Sequence, residues 1–140
     1  MSRIFWDTHL FVYLIEDAGA RGDQVVRLRK RMLERGDRLF TSALTLRELL
    51  AKPVEAGRDD LRRRYEDALS SGATILAFDR DAAVRCAAMS SDHTMALSDA
   101  IQLATAAAAG MDLFITNDDR LGTAVVPGIH FITSLPRAFL

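Results

Sequence analysis

Four acidic residues, Asp7, Glu48, Asp99 and Asp118, lie far apart in a 140-residue chain, yet each stands where one local pattern gives way to another. Asp7 follows the apolar run Ile4-Phe5-Trp6, and Asp118 comes just after Leu113-Phe114-Ile115-Thr116. Asp99 follows Ser98 at the head of an alanine-rich run, and Glu48 rides the segment after Arg38-Leu39-Phe40-Thr41. Singly, each has an ordinary explanation: a helix cap, a charge at a helix start, a turn residue, a solvated helix glutamate. Brought together they would repel, and at least one would keep its proton at neutral pH unless a cation intervened. Mg²⁺ suits such a set, because it is a hard ion that takes oxygen ligands and keeps several waters. With no cluster of cysteine and histidine, zinc is not expected.

Placing these residues together is the task of the elements around them. Apolar runs predict strands at residues 4–6, 38–41, 74–78, 113–116 and 129–132. Helical spacing predicts a helix from Thr8 and others over 23–35, 43–51, 58–70, 80–90 and from Ser98 to Gly110. Ser42, Asp79 and Ser98 stand at capping positions, Gly36 and Gly110 at natural stops, and Pro53 closes the helix carrying Glu48. Strands that alternate with helices imply an α/β fold with a mainly parallel central sheet of four to five strands, helices on both faces, and a single domain over residues 1–140. Parallel strands align their carboxyl ends, and ligands bind there where the strand order reverses. The acids fall at that edge.

At this length roughly 68–70% of the unfolded chain's surface would be buried, so no disulfide staple is required. The lone Cys86 is expected to be a buried, reduced thiol, which makes the cytoplasm the expected compartment. No run approaches the ~18 apolar residues of a membrane span, and Met1-Ser2-Arg3 leads into a strand pattern rather than a signal peptide. The net charge of −1 provides no global basic field, so a polyanion must be met locally. Arg27, Arg29, Lys30, Arg31 and Arg35 form one basic segment, and Arg58, Arg62, Arg63 and Arg64 another. They are candidate phosphate contacts, set against solvated helix faces with partners such as Glu34 and Asp37.

The strings Ile4-Phe5-Trp6-Asp7-Thr8, Thr41-Ser42-Ala43-Leu44-Thr45-Leu46-Arg47-Glu48-Leu49, Leu97-Ser98-Asp99-Ala100-Ile101-Gln102-Leu103-Ala104-Thr105-Ala106 and Phe114-Ile115-Thr116-Asn117-Asp118-Asp119-Arg120-Leu121 resemble the four signature stretches of PIN domains, specifically of VapC-type toxins. They occur in the family's order along the whole chain. The resemblance implies Mg²⁺- or Mn²⁺-dependent cleavage of RNA, a homodimer, and inhibition by an antitoxin encoded alongside. By position it gives Asp7, Glu48, Asp99 and Asp118 the catalytic and metal-binding roles. Thr8 and Thr116 match positions where the family carries a supporting hydroxyl, Thr116 foremost, with Asn117 beside it. His9 replaces the usual asparagine and Leu121 an aromatic, which bears on substrate choice and on support of the site. Asp119 competes with Asp118 as fourth acid, and the Thr-x-Asp spacing favours Asp118.

Hydrolysis of a phosphodiester needs an activated water and neutralisation of charge on the phosphoryl and leaving oxygens, which one or two metal ions provide. The expected products carry a 5′-phosphate and a 3′-hydroxyl. Asp7 and Asp99 are expected as direct ligands, with Glu48 and Asp118 on a second ion or orienting water. His9, His93 and His130 have no serine or cysteine in a nucleophile motif beside them, and His9 is either a substrate contact or a plain first-turn residue. Asp79-Arg80-Asp81 resembles the paired aspartates of Toprim nucleases, but capping explains Asp79 better. A receiver domain lacks its late-strand lysine here, since the only lysines are Lys30 and Lys52, and no phosphate-binding glycine pattern occurs. The rival from another class is a non-catalytic PIN-fold module that holds RNA or protein without cutting. Leu10, Phe11, Tyr13 and Leu14 with the helix at 43–51 are read either as a groove for an amphipathic antitoxin segment or as core.

Overall fold

The computed structural model describes residues 1–16 and 19–140. Five strands, β1 (Arg3–Trp6), β2 (Arg38–Ser42), β3 (Thr74–Leu76), β4 (Met111–Thr116) and β5 (Ile129–Ser134), form one sheet in the order β3-β2-β1-β4-β5. Every neighbouring pair is parallel, with Phe5 opposite Phe40 on one side and Phe114 on the other. The helices are α1 (Thr8–Glu16), α2 (Gly19–Arg35), α3 (Ala43–Glu55), α4 (Asp59–Gly72), α5 (Arg80–Met89) and α6 (Leu97–Ala109).

The two-residue period of a strand sorts the central side chains onto opposite faces. Ile4, Trp6 and Ile115 pack with Leu10, Val25, Met32 and Leu69 beneath α1, α2 and α4. Phe5 and Phe114 stack at 5.0 Å on the other face, against Leu103 and Ala106 of α6. Because both faces are covered, β1 reads as an unbroken apolar run rather than as an alternating one. Cys86 is buried where α5 meets Ala100 and Ala104 of α6, small side chains that let the two helices approach.

Two caps form as expected: Thr45 N donates to Ser42 Oγ at 3.3 Å, and Ala82 N to Asp79 Oδ1 at 2.9 Å. The third does not, since α6 already begins at Leu97, so Ser98 lies inside the first turn and Ala96 takes the capping position with no side-chain bond. Nor does Pro53 end α3. The helix continues to Glu55, leaving Glu48 mid-helix; Pro53 is buried on the same face as Leu49, and that packing offsets the missing N–H bond. The helix expected from residue 23 begins at Gly19, and Gly36 (φ 74°) stops it. Strand β3 stops at Leu76, whereas β4 and β5 run longer than their apolar runs suggest. Leu10 and Phe11 are core residues, so they cannot line a groove for a partner; Tyr13 and Leu14 remain half-buried.

Strand order reverses between β1 and β4, where connections depart to opposite sides and a crevice opens at the carboxyl edge. Asp7 and Asp118 lie at this point.

Candidate active site

Asp7 follows β1 directly, and its backbone N–H donates to Ile115 O at 3.2 Å, carrying the β1–β4 pairing one residue further. Its Oδ2 accepts from Thr116 Oγ1 at 2.6 Å and from the Asn117 backbone at 3.3 Å. Its Oδ1 is buried with no hydrogen-bond partner. Burial pushes the Asp7 carboxyl pKa up, opposed by the bonds from Thr116 and Asn117 and by nearby His9. The fully buried Thr116 hydroxyl also accepts from Asp118 N at 3.1 Å, linking Asp7 to the turn after β4. Asp118 in turn accepts from Arg120 through the backbone N at 2.9 Å, Nε at 3.2 Å and Nη2 at 2.9 Å. That guanidinium holds the Asp118 carboxyl below the usual carboxylate range.

Asp99 sits in the first turn of α6. Its pKa is raised by burial and by the charges of Asp118 and Glu48, while Arg120 and His9 act in the opposite direction. Asp118 and Glu48 are thus both within electrostatic reach of Asp99. Asp7, Asp99 and Asp118 line an open cavity of about 450 Å³, with His9, Asn117 and Asp119 at its sides. A recess of about 60 Å³ is bounded by Asp7, Glu48, Asp99 and Gln102. Asp7 and Asp99 line both hollows, Asp118 only the larger and Glu48 only the smaller. Among the described residues no three His, Cys, Asp or Glu side chains close tightly enough to grip an ion as they stand. Asp118 is instead paired with Arg120 at 2.9 Å.

Glu48 is fixed from below. Thr8 Oγ1 donates to Glu48 Oε1 at 2.9 Å, and Gln102 Nε2 donates to Thr8 at 3.2 Å and to Thr45 at 2.8 Å. The Ser42 hydroxyl donates to Gln102 Oε1, so the amide cannot turn over without losing partners. Thr41 donates to the Trp6 carbonyl at 2.9 Å, and Thr45 completes the chain at 2.9 Å from Thr41. Thr41, Ser42, Thr45 and Gln102 are all buried, yet each has a partner. Satisfied networks of this kind hold one geometry.

A family model described as PIN domain matches residues 4–125. The chain belongs to the PIN domain family. Among curated proteins nothing matches. Solved structures similar to this PIN domain include VapBC2 from Rickettsia felis bound to a DNA fragment from its promoter, with TM-score 0.75 and 14% identity over 94% of this chain and 98% of that one. A toxin–antitoxin complex from Klebsiella pneumoniae follows with TM-score 0.63 and 25% identity over 90% and 94%. VapBC-5 from Mycobacterium tuberculosis, of a family of toxin–antitoxin systems, has TM-score 0.58 and 22% identity over 96% and 99%.

Around the PIN crevice the remaining expectations divide. His9 and Asp119 are exposed at the mouth, and the backbone N–H of half-buried Asp118 bonds Thr116. Thr8 and Thr116 both bond carboxylates. Of the candidate phosphate contacts, Arg31, Arg35, Arg58 and Arg62 pair with carboxylates, at 3.5 Å to Glu34, 3.1 Å to Asp37, 3.0 Å to Asp60 and 2.8 Å to Glu66. Arg29 donates to the Gly72 carbonyl. Sequence reasoning assigned no role to Gln102, Arg21 or Arg120, and read Tyr13 only as groove or core. Gln102 had a signal, an amide inside the otherwise apolar Ile101-Gln102-Leu103-Ala104 of a helix that must be buried.

Proposed function

We propose that this PIN domain is the toxin of a VapC-type toxin–antitoxin pair, a Mg²⁺- or Mn²⁺-dependent endoribonuclease that leaves 5′-phosphate and 3′-hydroxyl ends. The observation that carries the reading is the Asp7 carboxylate: one oxygen held by Thr116 and Asn117, the other buried, without a partner, at the reversal of strand order. An unpartnered buried carboxylate oxygen is costly unless a cation meets it. The fit is also chemical, since the surrounding donors are hard carboxylate oxygens.

Asp7 and Asp99, which face both parts of the crevice, would hold the first ion, and Glu48 and Asp118 would hold a second or orient water. A bound divalent ion supplies acidity to water and positive charge to the phosphoryl oxygens. The chain's own part is placement. Thr116 aims Asp7, Thr8 aims Glu48, and Asp118 must leave Arg120 to join the set. An antitoxin partner belongs to the same reading, supported by the toxin–antitoxin complexes among its structural neighbours, and a homodimer is part of the proposal. Among the described residues no helix is long and apolar enough to cross a membrane, and the cytoplasm is the compartment where RNA and antitoxin would be met.

The test is incubation of purified protein with a mixed RNA pool in Mg²⁺, Mn²⁺ or EDTA, beside Asp7→Asn, with end chemistry mapped. Metal-dependent cuts leaving 5′-phosphates and absent from the variant are expected. Identical cutting by both proteins would remove Asp7 from the mechanism, and an RNA bound but never cut would favour the non-catalytic module.

A further inference from the structure

An acidic crevice repels the polyanion it is to cut, and a chain of net charge −1 has no general field to offset that repulsion. Some cation at the rim must hold the phosphates flanking the reacting one. The basic segments prominent in the sequence are poorer candidates, because Arg31, Arg35, Arg58 and Arg62 are paired with acids and Arg29 with a backbone carbonyl. Helix α2 also carries its own cations, Arg27 to Arg35, away from the crevice. It begins at the carboxyl edge and ends beside Asp37 at the opposite edge, so Arg31 lies about 15 Å further from the crevice than Arg21 at 1.5 Å per residue.

Arg21 is different. Its Nη1 donates to Asn117 Oδ1 at 2.5 Å and to Tyr13 Oη at 3.0 Å, and its guanidinium carbon lies 5.6 Å from the centre of the Tyr13 ring. Tyr13 Oη donates in turn to Asn117 Oδ1 at 2.8 Å, and the Asn117 backbone N–H bonds Asp7. Three separate segments, the first residue of the turn after β4 among them, thus fix one guanidinium two hydrogen-bonded contacts from Asp7. Its partners are neutral. Among the described residues no carboxylate pairs with Arg21, and neither Nε nor Nη2 is engaged, which leaves two N–H-bearing nitrogens for the paired oxygens of a phosphate. Arg120, across the crevice, already neutralises Asp118.

We infer that Arg21 is a phosphate-binding residue for the RNA strand next to the cleaved bond, with Tyr13 and Asn117 as its positioning residues. The inference rests on the ribonuclease reading and adds the contact that sets substrate affinity. A phosphate contact weakens binding uniformly across sequences, and each such contact contributes about 0.7 to the slope of log affinity against log salt for a single strand.

The experiment uses a short fluorescein-labelled single-stranded RNA of mixed sequence, with anisotropy followed at rising salt in the Asp7→Asn background, where the RNA stays uncut. Arg21→Gln should weaken binding about tenfold and lower the salt slope by about 0.7, whereas Arg31→Gln should change neither. Arg21 is exposed, so the variant has no core to disturb. In otherwise wild-type protein, Arg21→Gln should raise KM about tenfold and leave kcat within about twofold, as loss of uniform binding requires. Asn117→Ala should raise KM while keeping the salt slope, because the charge remains and only its placement is lost. Unchanged affinity and slope in Arg21→Gln, with normal cleavage by the wild type, would overturn this inference alone. A wild-type protein that neither binds nor cuts RNA would overturn the ribonuclease reading with it.

Discussion

The two flanks of the crevice are built by opposite means. Behind Glu48 lie Thr8, Thr45, Gln102, Ser42 and Thr41, mutually bonded and out of water. At the other flank Asp118 stands in a surface turn, held chiefly by a guanidinium two residues along that is 90% exposed. The first arrangement has one geometry, since moving any member strands another in a dry interior. The second exchanges its partner for water or a cation at little cost. One side is thus a buried, fully bonded template, and the other a surface turn held by an exposed ion pair.

The sharpest test lies where the two sides meet. Asp7→Asn should lower metal-dependent cleavage by about 10³-fold or more, while the thermal midpoint at neutral pH rises. Burial raises the folded pKa of Asp7, so the folded state carries a penalty that is absent below the unfolded pKa and develops as pH rises toward and through the folded value. The stabilisation by Asn should therefore shrink on acidification through the carboxylate range, as melts across pH would record. A lower midpoint for Asp7→Asn at neutral pH would count against that penalty.

On the template side, Gln102→Leu should cost about 2–4 kcal/mol in urea unfolding, because Ser42, Thr45 and Thr8 all lose a buried partner. A loss no larger than that of an exposed substitution would mean the network is not the rigid flank described. Thr116→Val, which unties Asp7 from the turn, should reduce metal affinity by about 10–100-fold in calorimetric titration with Mn²⁺ while the fold persists. Smallest is Arg120→Ala: an unchanged melting midpoint, and Mn²⁺ binding tightened a few-fold because Asp118 no longer has a competing cation. Weakened binding there would instead make Arg120 part of the site's support.

What the sequence disclosed follows the range of the interactions involved. Asp79 and Ser42 were legible as caps because a cap is a contact within three residues. The unbroken apolar runs were legible as strands, and the two-residue period then assigns Phe5 and Trp6 to opposite faces. Pro53 misled, since the packing of Leu49 and Pro53 against the core outweighs a local breaker. Ser98 misled because the helix starts at Leu97, which puts the capping position two residues earlier, at Ala96. The acids were found through strand ends and the family's strings, but Gln102 meets Thr8 across 94 residues and Arg21 meets Asn117 across 96, and no local pattern encodes such pairs. Conspicuous arginine clusters drew attention for their density, whereas position along α2 decides which cation reaches the crevice.

Parallel pairing of β1 with β4 has a temporal meaning. The Asp7–Thr116 bond joins residues 109 apart, and no shorter stretch of chain can close it. A nascent chain that has emerged only as far as α6 carries Asp7, Glu48 and Asp99 but no β4 to seat against β1. Such high contact order slows folding and postpones the assembled crevice until β4 has been made. A toxin of the kind proposed would in this way stay harmless until β4 is in place.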